Sequence, residues 1–304
     1  MIAFLFPGQG SQFSGMGQDL AENFPVARQV FEEASEALGF DMAALCFQGA
    51  EDDLRLTANT QPAILTTSIA ALRVLEQETD LVPSYAAGHS LGEYSALVSA
   101  GAMTLKDAVQ IVRQRGTFMQ EAVPVGVGAM AAIMGLDRAE LEQVCRDTAE
   151  GEVVTPANFN CAGQIVIAGH ATAVTRAMTL AKERGAKRAL PLPVSAPFHS
   201  SLMVPAAKRL AETLRDIPIG SFFCPVVGNV EASPYQEQDR VKPLLIEQVC
   251  APVRWDESVL KLQELGVTRY IEIGPGKVLS GLVKRIAKGS DVLNVDSTES
   301  LKNL

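Results

Sequence analysis

Residues 85–100 read YAAGHSLGEYSALVSA, and this stretch decides the fold that we expect. Tyr85 to Ala87 has the short apolar pattern of a buried strand, and Glu93 to Ala100 has the pattern of a helix. Between them lies the motif G-x-S-x-G, centred on Ser90. A strand, a sharp turn and a helix around such a serine form a nucleophile elbow, which holds the hydroxyl out over the end of a sheet. A motif with only three fixed residues in five also occurs by chance. From the motif alone, a non-catalytic role for Ser90 therefore stays an alternative.

Two other apolar stretches predict further strands of the same sheet. Ile2 to Phe6 is followed at once by a proline and a glycine, and Arg269 to Ile273 ends at Gly274. Helical patterns separate these strands along the chain, for example from Thr60 to Leu75. Strands that alternate with helices are typical of an α/β domain with a largely parallel sheet.

The middle of the chain has a different pattern. Its predicted elements run in the order β-α-β-β-α-β, which is the signature of a ferredoxin-like unit. They are the strand 129–134, the helix 138–148, the strands 153–158 and 164–168, the helix 174–184 and the strand 188–194. We therefore expect residues 125–194 to form a ferredoxin-like subdomain, inserted into a core domain of residues 1–124 and 195–304.

The composition is that of a globular protein and excludes several classes. Of 304 residues, 47% are hydrophobic and 20% are charged, which excludes a disordered chain. The 35 acidic side chains outnumber the 26 basic ones, so the net charge is −9 and nucleic acid is not an expected partner. No uncharged apolar run approaches the roughly 18 residues of a membrane span, and residues 1–6 lack the basic start of a signal peptide. We expect a cytoplasmic protein with no membrane partner.

Two classes of ligand site are also disfavoured. The five cysteines are widely spaced and form no C-x-x-C pair, so we expect neither disulfides nor a metal site. The stretches Gly8-x-Gly10 and Gly274-x-Gly276 lack the third glycine of a dinucleotide-binding loop, which argues against a nucleotide.

A catalytic serine requires a base, and the chain has only three histidines. His89 is adjacent to Ser90, so its ring should point away from the hydroxyl. His170 lies in or near a turn of the predicted subdomain, where a surface role is expected. His199 lies in a loop that follows the subdomain, and loops at domain junctions often carry sites. By elimination, His199 is the best candidate for the base.

One arginine lies on the apolar side of a predicted helix. The helix spans Thr104 to Met119, and Arg115 falls within about 30° of the centre of its apolar stripe. A guanidinium that faces the core is costly unless a carboxylate meets it. Two interpretations stay open, namely an ion pair with a buried Asp or Glu and a fork that binds the carboxylate of a substrate.

Taken together, these stretches resemble one known family. The chain resembles the malonyl-CoA:acyl carrier protein transacylases, which are acyltransferases of fatty acid and polyketide synthesis. The resemblance covers nearly the whole chain and implies an α/β-hydrolase-like core with an inserted ferredoxin-like subdomain. The matching stretches are FPGQGSQ at 6–12, GHSLGEY at 88–94, Arg115 with FMQ at 118–120, NFN at 158–160, PFHS at 197–200 and EIGPG at 272–276.

The resemblance implies roles for the residues that match the family's motifs. Ser90 would be the nucleophile that carries malonate, and His199 would act as general base and then as general acid. Arg115 would bind the malonyl carboxylate. The backbone N–H groups of Gln9 and Leu91 would form the oxyanion hole.

Two further roles follow from the same resemblance. The family orients its histidine with a backbone carbonyl, and Gln248 occupies the corresponding position. Phe198 matches the aromatic residue that precedes the histidine in malonyl-selective members. There it would crowd an α-methyl branch and disfavour methylmalonyl groups.

The implied reaction moves malonyl from malonyl-CoA to the phosphopantetheine thiol of acyl carrier protein, through a malonyl-serine, in fatty acid biosynthesis. No permanently bound cofactor is implied, and we expect a monomer. Three alternatives stay open, namely a trans-acting acyltransferase of a polyketide synthase, a serine thioesterase and a catalytically silent scaffold that binds carrier protein. A thioesterase would place an acid between Ser90 and His199 in the chain, where Asp107 and Asp137 lie.

Acyl carrier proteins are acidic, so docking on this acidic chain would need a local basic patch. Two clusters are candidates, although ordinary solvated helix faces explain either cluster equally well. They are Lys182, Arg184, Lys187 and Arg188, and Lys277, Lys284, Arg285 and Lys288.

Overall fold

The computed structural model of the chain describes residues 1–194 and 196–304, and two β-sheets with helices packed against them make up the fold. In chain order, the strands are β1 (Ile2–Phe6), β2 (Tyr85–Gly88), β3 (Gly128–Met134), β4 (Val154–Cys161), β5 (Gln164–His170), β6 (Arg188–Pro191), β7 (Val226–Val227), β8 (Pro234–Tyr235), β9 (Arg269–Ile273) and β10 (Asp291–Val295). The helices are α1 (Gln18–Asn23), α2 (Pro25–Leu38), α3 (Met42–Gln48), α4 (Glu51–Arg55), α5 (Thr57–Glu78), α6 (Gly92–Ser99), α7 (Leu105–Glu121), α8 (Arg138–Thr148), α9 (Ala171–Glu183), α10 (Val204–Leu214), α11 (Gln238–Gln248), α12 (Trp255–Glu264), α13 (Val278–Ile286) and α14 (Thr298–Leu301).

The larger sheet has the strand order β10-β9-β1-β2-β7-β8. Its neighbouring strands are parallel, except that β7 and β8 pair antiparallel. Side chains of β1 alternate between the two faces, so Phe4 and Phe6 join the core on one side while Ala3 and Leu5 join the core on the other. Because both faces are covered, β1 is a continuous apolar run in the sequence. The expected α/β class with a parallel sheet is confirmed.

Helices α5 and α7 pack against each other and bring polar side chains to one end of this sheet. The side chain of Thr104 caps α7 by accepting a hydrogen bond from the Asp107 N–H at 3.1 Å. Arg115 lies on the buried face of α7, as its position in the apolar stripe predicts. On α5, Gln61 is buried as well and lies within hydrogen-bonding distance of Arg115.

The smaller sheet is antiparallel, with the strand order β4-β5-β3-β6. Helices α8 and α9 cover one face and enclose a separate hydrophobic cluster that includes Leu141 and Ala177. Met130 and Val166, on the other face, belong to the main core. The element order from β3 to β6 is the predicted one. The domain boundaries at 124/125 and 194/195 stay a prediction, and Ser195 lies outside the described residues.

Strand β4 also pairs with the segment between α11 and α12. The Phe159 N–H donates to the Val253 carbonyl oxygen at 2.8 Å, and the Val253 N–H donates to the Ala157 carbonyl oxygen at 2.9 Å. These two hydrogen bonds join the smaller sheet to the larger part of the chain. Both involve Val253, which lies five residues after Gln248 in the chain. The contact therefore holds the two parts together close to a predicted site residue.

Some elements differ from the sequence predictions, each for a local reason. Strand β4 continues to Cys161 instead of ending at Asn158, through two register shifts that break the alternating pattern. Helix α11 is not predicted, because Pro243 within it is a helix breaker in a sequence pattern. Strand β10 is not predicted either, since it is a partly exposed edge strand without clear alternation.

The close packing around the elbow predicts the effect of one methyl group. We expect Gly88→Ala to lower the free energy of unfolding by about 3 kcal/mol, the upper end for overpacking, because its Cβ would lie 1.9 Å from the carbonyl carbon of Gly92. Gly281→Ala in α13 is the matched control, because no heavy atom lies within 4 Å of its added Cβ. The control should stabilise the fold by about 0.5–1 kcal/mol. Urea denaturation measures both values, and equal midpoints for Gly88→Ala and wild type would contradict this packing.

Candidate active site

Ser90 lies in the turn between β2 and α6, at the carboxyl end of the parallel strands. Its φ of 53° is in the left-handed region, which non-glycine residues rarely adopt. The turn closes only because its flanking glycines lack side chains, and a Cβ on Gly92 would lie 2.2 Å from the Phe6 carbonyl oxygen. Residues 85–100 therefore have the strand–turn–helix geometry that the sequence predicts.

Asn229, in the loop after β7, holds the turn from the other side. Its side-chain oxygen accepts a hydrogen bond from the Ser90 N–H at 2.7 Å, and its side-chain N–H donates to the Gly88 carbonyl oxygen at 2.7 Å. Hydrogen bonds of this kind contribute about 1 kcal/mol each and offset part of the cost of the strained backbone. The sequence analysis does not identify Asn229. The available signal was a polar residue that follows a short strand, at the sheet edge where sites of parallel sheets lie.

His199 faces the serine hydroxyl. Its Nε2 lies 2.8 Å from Ser90 Oγ, and its Nδ1 lies 2.8 Å from the Gln248 carbonyl oxygen and 3.1 Å from the Ala251 carbonyl oxygen. A carbonyl oxygen can only accept, so Nδ1 carries the proton of the neutral ring. Nε2 is then free to accept the proton of the serine. The carbonyl expected from Gln248 thus contacts the ring, and Ala251 adds a second carbonyl that the sequence analysis does not name.

The surroundings of His199 keep its ring uncharged. Burial, which deprives the charged ring of its hydration, is the main cause that lowers the pKa of His199, and the positive charge of Arg115 acts in the same direction. The hydrogen bonds to the two carbonyls act in the opposite direction, and together these effects lower the pKa to about 3. The ring is therefore neutral at pH 7, and a neutral ring is the form that can act as a base.

The guanidinium of Arg115 is buried and lies against the same hydroxyl. Its Nη2 donates to Ser90 Oγ at 3.1 Å and to Gln248 Oε1 at 2.9 Å, and its Nη1 donates to Gln61 Oε1 at 2.7 Å. Within residues 1–194 and 196–304, Arg115 forms no ion pair with an Asp or Glu. The side chains of Gln61 and Gln248 are further site residues that the sequence analysis misses, because the helical pattern does not show which residues of α5 and α11 meet α7.

Gln9 and Leu91 line the same cavity as Ser90, and each has a backbone N–H. In the part of the chain that the structure describes, neither N–H donates a hydrogen bond. Leu91 is the residue before the first turn of α6, where helix N–H groups have no partner within the helix. Two unpaired N–H groups beside a nucleophile can stabilise a negatively charged oxygen.

The cavity in front of Ser90 has a volume of about 100 Å³. Its polar lining residues are Gln9, Gln61, His89, Ser90, Arg115, Asn158 and His199. The remaining wall is apolar and consists of Leu91, Met119, Met130, Leu192, Val194 and Phe198. A small acyl group that carries one charged end suits a cavity of this size and composition.

The other two histidines make no hydrogen bond to Ser90. His89 is buried, and its Nε2 lies 2.9 Å from Asn160 Oδ1. Burial lowers the pKa of His89, so this ring is neutral too. His170 lies at the end of β5, where its Nδ1 accepts a hydrogen bond from the Val153 N–H at 2.9 Å. His199 is thus the histidine in contact with the serine, in agreement with the choice made by elimination.

The two basic clusters lie at the surface. In the first, Arg184 is paired with Asp147 while the lysines are exposed. In the second, Arg285 donates to Gln164 Oε1 at 2.6 Å. These contacts favour neither cluster as a docking surface.

Three other features concern disulfides, metal sites and membrane spans. All five cysteines are free, and burial raises the pKa of Cys46 to about 12. Across the described ranges, no three His, Cys, Asp or Glu side chains form a group that could hold a metal ion. No helix in those ranges has both the length and the apolar character that crossing a bilayer requires.

Comparison with known proteins gives one consistent result. The family described as "Acyl transferase domain" matches residues 3–301. The malonyl CoA-acyl carrier protein transacylase of Bacillus subtilis is 54% identical over 302 residues, which cover 99% of this chain and 95% of that protein.

Two solved structures have nearly the same fold. The malonyl CoA-acyl carrier protein transacylase from Coxiella burnetii has a TM-score of 0.98 at 46% identity, covering 99% of this chain and 96% of that one. A malonyl-transacylase in complex with a type II PKS acyl-carrier protein has a TM-score of 0.97 at 49% identity, covering 99% and 98%.

The contact between Arg115 and the site predicts how His199 titrates. We expect the pKa of His199 to lie well below the ordinary value of about 6.5, and Arg115→Gln to raise it, because the variant removes a nearby positive charge. Arg113→Gln is the matched control, since Arg113 lies on the same helix and binds Asn59 instead. NMR titration of the three histidine rings gives the values. An ordinary pKa for His199 in the wild type would contradict this account of the base.

Proposed function

The chain belongs to the acyl transferase domain family, and we propose that it transfers malonyl from malonyl-CoA to the phosphopantetheine thiol of acyl carrier protein, in fatty acid biosynthesis. The names of the relatives support the substrates and the carrier. One observation carries the proposal for the site. Ser90 Oγ contacts a neutral base, His199, and a buried cation, Arg115, at the same time.

In the first half-reaction, Ser90 Oγ attacks the thioester carbon of malonyl-CoA while His199 Nε2 takes the hydroxyl proton. The carbonyl oxygen gains the negative charge and is stabilised by the N–H groups of Gln9 and Leu91. The carbon–sulfur bond then breaks, and the leaving thiolate of CoA takes the proton from His199. A malonyl ester on Ser90 remains.

In the second half-reaction, the thiol of the carrier's phosphopantetheine enters the position that CoA has left. His199 takes its proton, and the sulfur attacks the ester carbon of the malonyl-serine. The ester bond breaks, the serine oxygen takes the proton back from His199, and malonyl leaves on the carrier. This is a ping-pong mechanism that needs no permanently bound cofactor.

Arg115 supplies the selectivity for an acyl group with a free carboxylate. A guanidinium has five N–H groups, and three are engaged by Ser90, Gln61 and Gln248. Acylation turns Ser90 Oγ into an ester oxygen, which is a poorer acceptor, so the Nη2 hydrogen that pointed at the hydroxyl becomes available. The malonyl carboxylate can then accept from Arg115 in a charge-assisted hydrogen bond.

Phe198 limits the size of the acyl group next to the reacting carbon. Its side chain is buried and lines the cavity immediately before His199 in the chain. An α-methyl branch would have to displace this ring or its apolar neighbours, and overpacking of a dense interior is unfavourable. We therefore propose that malonyl is preferred over methylmalonyl.

The finer description of the fold belongs to the same proposal. We regard the larger part of the chain, 1–124 and 195–304, as an α/β-hydrolase-like core, supported by the elbow at the end of a parallel sheet. Residues 125–194 form a ferredoxin-like subdomain, supported by the β-α-β-β-α-β order in an antiparallel sheet. The cytoplasmic location and the monomeric state are predictions from the sequence, and the free cysteines support the first of them.

One alternative uses the same chemistry with another carrier. The 49% identical malonyl-transacylase bound to a type II PKS carrier is consistent with a trans-acting acyltransferase of a polyketide synthase and does not favour it over fatty acid biosynthesis. A thioesterase lacks such support. Asp137 caps α8, and Asp107 lies in the first turn of α7, where its carboxylate accepts a hydrogen bond from the Thr104 hydroxyl at 2.7 Å. The Nδ1 of His199 faces backbone carbonyls instead of an acid.

Brief mixing with malonyl-CoA, followed by intact mass measurement, tests the covalent step. We expect the wild type to gain one malonyl group and Ser90→Ala to gain none, because the variant lacks the nucleophilic oxygen. No mass gain with intact malonyl-CoA would support the silent scaffold and contradict the proposal. No mass gain with free malonate accumulating would instead identify a thioesterase.

The role of Arg115 is tested by comparing malonyl-CoA with acetyl-CoA. We expect Arg115→Ala to lower kcat/KM for malonyl-CoA by roughly 30-fold or more, since truncating one partner of a buried charge pair costs about 2–5 kcal/mol. Loading from acetyl-CoA, which has no carboxylate, should be retained or increased. Equal losses for the two substrates would contradict recognition of the carboxylate by Arg115.

A further inference from the structure

Arg115 is a buried cation without a carboxylate in contact. Only 1% of its surface is exposed, and its hydrogen-bond partners among the described residues are the neutral side chains of Gln61, Gln248 and Ser90. The ring of Tyr94 lies 5.6 Å from the guanidinium carbon, and burial raises the pKa of this phenol, so it is neutral as well. Since an isolated charge in a protein interior is strongly unfavourable, a balancing charge should lie farther away.

Glu93, in the first turn of α6, is a buried carboxylate that could balance the charge of Arg115 without contacting it. It is 1% exposed and accepts hydrogen bonds from Gln248 Nε2 at 2.7 Å, from the Asn229 N–H at 3.1 Å and from the Tyr235 hydroxyl at 3.1 Å. Burial raises the pKa of Glu93, whereas these three donors and the positive charge of Arg115 oppose that increase. Three donors thus stabilise the charged form of this carboxylate.

The side chain of Gln248 joins the two charges. Its Oε1 accepts from Arg115 Nη2 at 2.9 Å, while its Nε2 donates to Glu93 at 2.7 Å and to the Ser90 carbonyl oxygen at 3.0 Å. A guanidinium only donates and a carboxylate only accepts, so the amide fits between them in one orientation. One amide group thus separates the cation from the anion and also holds the elbow.

We propose that Glu93 is the counter-charge of Arg115 and a positioning residue for it, acting through the side chain of Gln248. The value of this arrangement rests on the proposed function. A carboxylate in direct contact would occupy the N–H groups that the malonyl carboxylate needs, whereas a carboxylate one amide away balances the charge and leaves those groups accessible.

A purely local role for Glu93 makes a different prediction. Its contacts with Asn229 and Tyr235 tie α6 to the segment after β7, and this alone could make Glu93 important for stability. In that case, the loss caused by a substitution would not depend on the charge at position 115. Tyr235→Phe is the matched control, since it removes one donor to Glu93 and leaves both charges unchanged.

The first experiment is a double-mutant cycle on thermal unfolding of the whole chain, and it needs no substrate. Glu93→Gln keeps the shape and, with its carbonyl oxygen in the Oε2 position, an acceptor for Gln248 and Asn229. It removes the negative charge and places an NH2 group against the Tyr235 hydroxyl, which can accept as well as donate. Arg115→Gln removes the positive charge. We expect each single variant to lower Tm and the double variant to lower it by clearly less than the sum, because it leaves no unbalanced charge. The cycle of Tyr235→Phe with Arg115→Gln should be additive.

Additive losses in the Glu93 and Arg115 cycle would overturn the proposal, as would equal coupling in the Tyr235 cycle. If Glu93→Gln does not fold, Glu93→Asp replaces it, because the shorter carboxylate keeps the charge and weakens the contact with Gln248. Its loss should then be clearly smaller on the Arg115→Gln background, where only the local contacts with Asn229 and Tyr235 are weakened. An equal loss on both backgrounds would overturn the proposal.

The second experiment connects the counter-charge with malonyl loading. In the malonyl-enzyme, the malonyl carboxylate itself lies beside Arg115, so we expect the Tm loss of Glu93→Gln to be smaller after loading than before it. The Tm loss of Tyr235→Phe should be the same in both states. An undiminished Tm loss for Glu93→Gln would contradict the proposed role of Glu93 as the counter-charge of Arg115. If the wild type does not load malonyl at all, the proposed function fails, and the substrate-free cycle still decides the role of Glu93.

Discussion

The left-handed backbone at Ser90 is the constraint on which the rest of the structure depends. Such a conformation costs of order 1–3 kcal/mol for a residue with a side chain, and it persists only where the surroundings determine it. Two glycines remove the steric obstacle, and Asn229 and Gln248 hold the peptide groups on either side by hydrogen bonds. His199 has a φ of 59°, so both groups that meet at the hydroxyl are held in strained backbone.

Burial sets the charges of the site as well as its shape. The same loss of hydration that lowers the pKa of His199 makes the interaction of Arg115 with an anion stronger than it would be in water. A neutral base beside a permanent cation is a stable combination, because a second positive charge on the ring would be repelled. A negative charge beside Arg115, such as the carboxylate of the proposed malonyl group, therefore favours proton transfer to His199.

Much of this arrangement could be predicted from local patterns. The elbow at Ser90, the apolar strand at Ile2–Phe6 and the inward position of Arg115 each follow from a motif or from a period of two or 3.6 residues. The β-α-β-β-α-β order follows from the same periods. The two-residue strand β8 and the edge strand β10 carry too little periodic signal to be recognised.

The sequence by itself determined which residues could carry chemistry: one serine in an elbow, three histidines and one arginine on the wrong side of a helix. Only the tertiary structure decided which of them meet. Ser90 and His199 are 109 positions apart, and Gln248 lies 158 positions from the serine whose carbonyl it binds. Periodicity reports the face of one element, whereas contacts at such separations depend on how sheets and loops pack, so the roles of Glu93, Asn229 and Gln61 are visible only in the folded chain.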